Sequence, residues 1–111
     1  MQDNGIIKTT TENERALIAC ILTKPSIMEQ LDDITSKDFL NYDCERCYAI
    51  IETLFERGEQ IDIVSISTVD TTLSVFLVEL LAGYTGLEHG YYAKTVKQRS
   101  VLRRLGEIGS E

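Results

Sequence analysis

The chain has 111 residues, with eleven basic and eighteen acidic side chains giving a formal charge of −7. At 43% hydrophobic and 26% charged it has ordinary globular usage, which excludes disordered and collagen-like chains. A domain this size buries roughly two-thirds of its unfolded surface and needs no staple; no apolar run reaches the roughly 18–20 residues that span a bilayer. Residues 1–10 are polar with one glycine and predict a flexible lead. Thr11-Glu-Asn-Glu14 has the capping-box pattern and predicts a helix start. The helix that follows carries Leu17, Ile18, Ile21 and Leu22, with Ala16, Ala19 and Cys20 allowing close approach, so it is expected at the centre of the molecule. Pro25 ends it, and Ser26 to Glu29 opens a short helix through about Leu31. Ser36 to Leu40 predicts one turn anchored by Phe39 and Leu40. Asn41 or Asp43 caps a stronger helix, whose Cys44, Cys47, Tyr48, Ile51, Leu54 and Phe55 recur at spacings of three and four. Gly58 is a natural left-handed stop.

Gln60 to Val69 is β-rich by propensity. Asp62 is a good N-cap, however, and no second run exists to complete a strand's ladder, so a short helix from Ile63 is predicted. Thr71 or Thr72 opens the next helix, with Leu73, Phe76, Leu77, Leu80 and Leu81 on its apolar face and Gly83 at its end. Tyr84 to Gly90 predicts a loop. The last helix starts near His89 or Tyr91; Ala93, Val96 and Ser100 share one face, and Val101, Leu102, Leu105 and Ile108 prolong an apolar track to the end. The fold class is all-α, a compact bundle of about six helices, with a core of Leu17, Ile21, Tyr48, Ile51, Phe55, Phe76, Leu77 and Leu80. The track is still helical at Glu111, which predicts a fragment ending inside a helix whose partner surface lies elsewhere. The expected organisation is a lead over 1–10, a head domain over 11–108 and an interrupted helix end over 109–111.

Charge is unevenly placed. Residues 1–90 hold six Lys/Arg against sixteen Asp/Glu, while residues 91–111 hold five against two. The last helix is therefore either a solvated basic face or a surface that meets an acidic partner. An overall acidic chain disfavours tight duplex-DNA binding. Three cysteines without a secretory signal argue against a disulfide framework, and the expected compartment is the cytoplasm, with no membrane contact. Cys44-x-x-Cys47 has knuckle spacing, but four ligands are needed for a closed zinc site; both cysteines lie on the apolar stripe and read as packing. No GxxxxGK[ST] is present, and Gly86 to Gly90 is only a turn. His89 reads as a surface or helix-start histidine. Asp32-Asp33 and Glu56-x-x-Glu59 read as solvated acids. Tyr91-Tyr92 beside Lys94 offers either a base-stacking platform or one packed and one exposed ring. No catalytic residue, cofactor or metal is assigned, and the chain reads as a helical interaction module. Arg99, Val101, Leu102, Arg103, Arg104, Leu105 and Ile108 are the candidate interface, the arginines forming a polar rim.

The order of segments resembles the N-terminal domain of replicative hexameric helicases of the DnaB type. Glu14 to Leu22 is similar to that family's first helix, where an acid precedes a small-and-apolar run. Asp38-Phe39 with Cys44-x-x-Cys-Tyr-x-x-Ile51, Gly58-x-x-Ile-Asp62, and Tyr92-Ala-x-x-Val96 running into Arg99 to Leu105 resemble its next three signatures. The likeness covers about residues 11–108. Cys44 stands where the family usually has His, Ala19 replaces a frequent Gly, and the segment between Asp62 and Leu77 is shorter than usual, departures in keeping with a phage, plasmid or mobile-element version. The resemblance implies a non-catalytic six-helix head, truncated here at the start of a helical hairpin. In the parent protein a linker and an ATPase motor, with ATP and Mg, would follow. It implies self-association, as a dimer and as the parent's hexamer, and docking of primase or a helicase loader; DNA would be met only through the parent ring. The alternative is a stand-alone adaptor, or a primase's helicase-binding domain, that contacts the helicase. A linker and GxxxxGK[ST] in the coding sequence beyond Glu111 would favour the helicase itself.

Overall fold

The computed structural model describes residues 2–84 and 88–109, with side chains described at 5, 7–84 and 88–106. Among the described residues there are five α-helices and no strand. They are α1 (Gln2–Thr23), α2 (Tyr42–Glu56), α3 (Ile63–Val69), α4 (Ser74–Gly83) and α5 (His89–Gly109). A six-residue 3₁₀ helix, Pro25–Gln30, makes the sixth helix of the bundle, and Ser36–Asp38 and Thr71–Leu73 form single 3₁₀ turns. The all-α architecture expected from the sequence is what the chain adopts.

The longest helix is also the organising one. α1 packs along α5, and also against α2, α4 and the Pro25–Gln30 helix. Ala16, Leu17, Ile18, Ala19, Cys20 and Ile21 are all buried, because a helix enclosed on every side has no face left for polar residues. Two features of its start differ from expectation. Residues 2–10 belong to α1 rather than to a flexible lead. The segment contains no proline, Gly5 alone does not break it, and its end at Thr10 is buried. Nor does Glu14 close a capping box with Thr11. Its carboxylate is fully buried and accepts the backbone N–H groups of Leu40 (2.7 Å) and Asn41 (2.9 Å). An acid in mid-helix thus satisfies amides 26 and 27 residues away.

Pro25 is the first residue of the short 3₁₀ helix, where its missing N–H costs nothing, and that helix has no side-chain cap at Lys24. α2 begins at Asn41, whose side chain accepts the Cys44 amide at 3.0 Å. It ends in a Schellman arrangement: Gly58 has φ +69°, its N–H donates to the Phe55 carbonyl, and the Glu59 N–H donates to the Leu54 carbonyl at 2.9 Å. That backbone conformation suits glycine. Four residues on, Asp62 caps α3 by accepting the Ser65 amide at 2.8 Å, and Ile61 between them is buried. Asp70, not a threonine, caps the Thr71–Leu73 turn. Arg46 reaches it from α2, pairing with Asp43 and Asp70 and lying over the Tyr42 ring at 4.7 Å.

Leu17, Ile21, Tyr48, Ile51, Phe76, Leu77 and Leu80 are buried. Tyr48 donates its hydroxyl to the Ile34 carbonyl at 3.0 Å and sits 4.7 Å from the Phe39 ring. Phe55 is the exception, at 39% exposed. Leu54, one residue earlier, takes the inward position, so Phe55 is turned to the edge of the stripe. Leu40, expected as an anchor, is 44% exposed, because the turn commits Phe39 inward and the next side chain outward. The two kinds of position predict different costs. Leu77→Ala should lower stability by about 3–5 kcal/mol, and Phe55→Ala by only about 1–2 kcal/mol. Urea unfolding followed by circular dichroism would read both; equal losses would contradict this core.

Candidate protein interface

The face of interest is built on α5, and its orientation is fixed by one acid. Thr35 and Asp38 bracket the Ser36–Asp38 turn in a capping box, the Asp38 carboxylate accepting the Thr35 amide at 2.8 Å. Asp38 is fully buried. Ser100 donates its hydroxyl to the carboxylate at 2.6 Å, Arg104 donates at 3.1 Å, and Lys97 Nζ lies 3.4 Å away while also donating to the Asp33 carbonyl at 2.7 Å. Arg103 donates to the Asp38 carbonyl at 2.8 Å. Burial alone would push this carboxyl up. The Ser100 hydroxyl, the Thr35 amide and Lys97 outweigh it and hold Asp38 below the usual carboxylate range. Glu14 has amides but no such close cation, and burial wins there, raising its pKa.

Clamping one face of α5 presents the other. Val96 and Ser100 are buried, and at 100° per residue the positions one, two and five after Ser100 turn away from the body. Val101 is 42% exposed, Leu102 60% and Leu105 58%. Leu102 and Arg99 join Ile7, Thr10 and Leu40 around a shallow depression where the start of α1 meets α5. Ile7 and Leu40 were missed by the sequence reading, the first because its segment read as a loose lead. Of the expected interface residues, Val101, Leu102 and Leu105 form one exposed stripe, and Arg99 borders it half-buried. Arg103 and Arg104 do not belong to a free polar rim. Their guanidinium groups are turned back onto Asp38, since a buried carboxylate recruits the nearest cations. The Ile108 side chain lies outside the described residues. The signal for Asp38 was present as Thr35-x-x-Asp38, a capping pattern in its own right.

The remaining sequence candidates are dispersed. Cys44 and Cys47 are fully buried; burial pushes the Cys47 thiol up to about 12 and the Cys44 thiol higher still, so both are packing groups. His89 Nε2 lies 3.0 Å from the Gln30 side-chain oxygen at the start of α5. Tyr92 is half-buried against the core and Tyr91 is exposed, their rings meeting edge to face at 5.1 Å. Asp32, Asp33, Glu56 and Glu59 are all exposed. No helix among the described residues is long and apolar enough to cross a membrane.

Removing the clamp has a calculable consequence. Asp38→Ala orphans one buried donor, the Ser100 hydroxyl, at about 1–3 kcal/mol, and removes the part-buried cap on the Thr35 amide, while the cations swing into water. A lowered carboxylate pKa contributes stability that is present above the ordinary range, near pH 4, and lost as pH falls through the lower folded value. Glu14, raised by burial, slopes the opposite way and gains as pH falls. The wild-type chain should therefore show an acid-unfolding limb below about pH 4 that Asp38→Asn flattens, read by urea midpoints across pH. An unchanged limb would remove Asp38 from this role.

The architecture agrees with known proteins. A family described as the DnaB-like helicase N-terminal domain matches residues 7–98. The replicative DNA helicase DnaC of Bacillus subtilis (strain 168) is 27% identical over 106 residues, covering 85% of this chain and 23% of that protein. The chain thus spans about a quarter of that relative's length. The crystal structure of the N-terminal domain of DnaB helicase from Mycobacterium tuberculosis superposes with a TM-score of 0.78 at 24% identity, over 88% of this chain and 78% of that one; it shares the fold. With the family model matching residues 7–98, from α1 into the first half of α5, the chain belongs to the DnaB-like helicase N-terminal domain family.

Proposed function

We propose that this domain is the non-catalytic collar of a replicative DNA helicase, mediating subunit association and offering a docking surface for primase or a helicase loader. On this reading, ATP and Mg belong to a motor domain of the parent protein, and DNA is met through the parent ring. The observation that carries it is the Val101, Leu102 and Leu105 stripe, three large apolar side chains in water on a helix that Asp38 holds rigidly. A contiguous exposed apolar face on a well-packed domain marks an interaction surface. The basic composition of α5 beside an acidic head supports association through complementary charge. The likeness to a helicase whose length this chain covers by only 23% supports the parent as a larger machine.

Leu102→Asp tests it. Leu102 is exposed, so the helical signal and unfolding midpoint should stay near wild type. Self-association should weaken by at least about tenfold, about 1.4 kcal/mol, by sedimentation velocity across a concentration series. A wild-type domain that stays monomeric at every concentration, or a variant that associates equally well, would sink the proposal.

A further inference from the structure

The depression between the start of α1 and α5 combines apolar and basic groups that the protomer itself does not use. Its volume is about 380 Å³, within the range of ligand-sized pockets. Three large apolar side chains from separate parts of the chain open into it: Ile7 on α1, Leu40 before α2 and Leu102 on α5. They are 50%, 44% and 60% exposed. Two guanidinium groups, Arg99 and Arg103, complete the lining, both on half-buried residues. Among the described residues no carboxylate lines the opening, Arg99 makes no hydrogen bond or ion pair, and Arg103 makes no ion pair, donating instead to the neutral Asp38 carbonyl. Arg103 favours the charged form of buried Glu14 through space. That carboxylate is already taken by the Leu40 and Asn41 amides, as Asp38 is by Ser100, Lys97 and Arg104. An apolar hollow is thus bordered by two cations with no acid in contact.

We propose that this depression docks an acidic peptide segment of a partner protein, one large apolar side chain entering between Ile7, Leu40 and Leu102 while flanking carboxylates pair with Arg99 and Arg103. The guanidinium fork matches a carboxylate through two parallel hydrogen bonds, and an apolar anchor in a hollow with charges at its rim is the usual anatomy of a recognised segment. Other partners fit less well. Three aliphatic side chains give nucleic-acid bases no aromatic face to stack on. A phosphate chain or an anionic bilayer spreads its charge over a wide surface, and here most of that surface is the acidic head, with sixteen Asp/Glu against six Lys/Arg in residues 1–90. The inference rests on the docking part of the proposed function and gives it a partner chemistry. It is separate from the self-association read from Val101 and Leu105, neither of which lines the depression.

The probe is a short fluorescein-labelled peptide with one leucine between two pairs of glutamates on a glycine–serine background, titrated with the domain by fluorescence anisotropy. The wild-type domain should bind it, and less tightly as salt rises. Changing the glutamates to glutamines, or the leucine to serine, should each weaken binding at least about tenfold. Arg99→Glu and Ile7→Ser should do the same from the protein side, with Leu40→Ser as a second apolar variant. None of the three positions is buried, and circular dichroism with thermal unfolding checks that each variant folds. The decisive arm reverses the charges: Arg99→Glu should bind a lysine version of the peptide better than wild type does. Leu105→Asp, outside the depression, should leave peptide binding unchanged. A wild-type domain that ignores the acidic peptide, or a glutamine version that binds equally well, would overturn the inference. So would tighter binding of an oligothymidylate, or of phosphatidylcholine–phosphatidylglycerol vesicles. Loss of self-association in Ile7→Ser, read by sedimentation velocity, would give the depression to a second copy and overturn it too. If Leu105→Asp abolishes self-association while no variant alters peptide binding, the association reading survives and this inference fails. If the peptide behaves as expected while the domain stays monomeric, the docking site stands and the association reading fails.

Discussion

The carboxylate of Asp38 is the constraint on which the arrangement of the last helix depends. Burying a charge is costly unless it is paired and hydrogen-bonded, and every compensating group except the Thr35 amide comes from α5 or anchors it. Ser100, Lys97 and Arg104 reach the carboxylate and Arg103 reaches the carbonyl of the same residue. These four side chains lie on one side of a helix, so satisfying Asp38 sets both the axial position and the rotation of α5. The outward direction of Val101, Leu102 and Leu105 follows from that rotation. The geometry of that exposed stripe is thus set within the protomer, by an acid in a three-residue turn.

Glu14 plays the complementary part at the other end. It joins the middle of α1 to the amides just before α2, as Asp38 joins the turn before α2 to α5. The short stretch from Thr35 to Asn41 is thereby held from two sides by buried carboxylates. The two acids respond differently to burial because their partners differ. Glu14 meets neutral amides and is raised; Asp38 meets a hydroxyl, an amide and cations and is lowered. The acidic head and basic tail of the sequence thus meet inside one protomer, at Asp38.

What was legible in the sequence was whatever local chemistry decides. Asn41, Gly58 and Asp62 act on amides and carbonyls a few residues away, so their roles as cap, stop and cap could be read from spacing. The helical choice for Ile63 to Val69 was legible for a related reason, since Asp62 supplies a local start and no partner strand exists. The misplacements share the opposite property. Thr11-x-x-Glu14 satisfies the capping pattern on paper, but Glu14 is taken by amides across the fold and the helix runs back to Gln2. Arg103 and Arg104 read as exposed rim until the buried acid 65 and 66 residues earlier is placed beneath them. Phe55 fits the three-four spacing of α2, yet the position beside it takes the core, and periodicity has no means of telling the centre of a stripe from its edge.

The family pattern acquires a physical meaning from these contacts, and that meaning marks its limits. The acid of α1 caps the approach to α2, Asp38 clamps α5, Gly58 and Asp62 turn the chain between α2 and α3, and Val96 lies in the core. Each of these residues secures the fold, and the fold is what this chain shares with a structure at 24% identity. The exposed side chains, Leu102 and Leu105 on one face and Phe55 on another, bear on none of those contacts. Their exposure leaves them outside the contacts that secure the head. Similarity of architecture therefore transfers between these domains more readily than similarity of partner, and the partner of this chain has to be argued from its own surface chemistry.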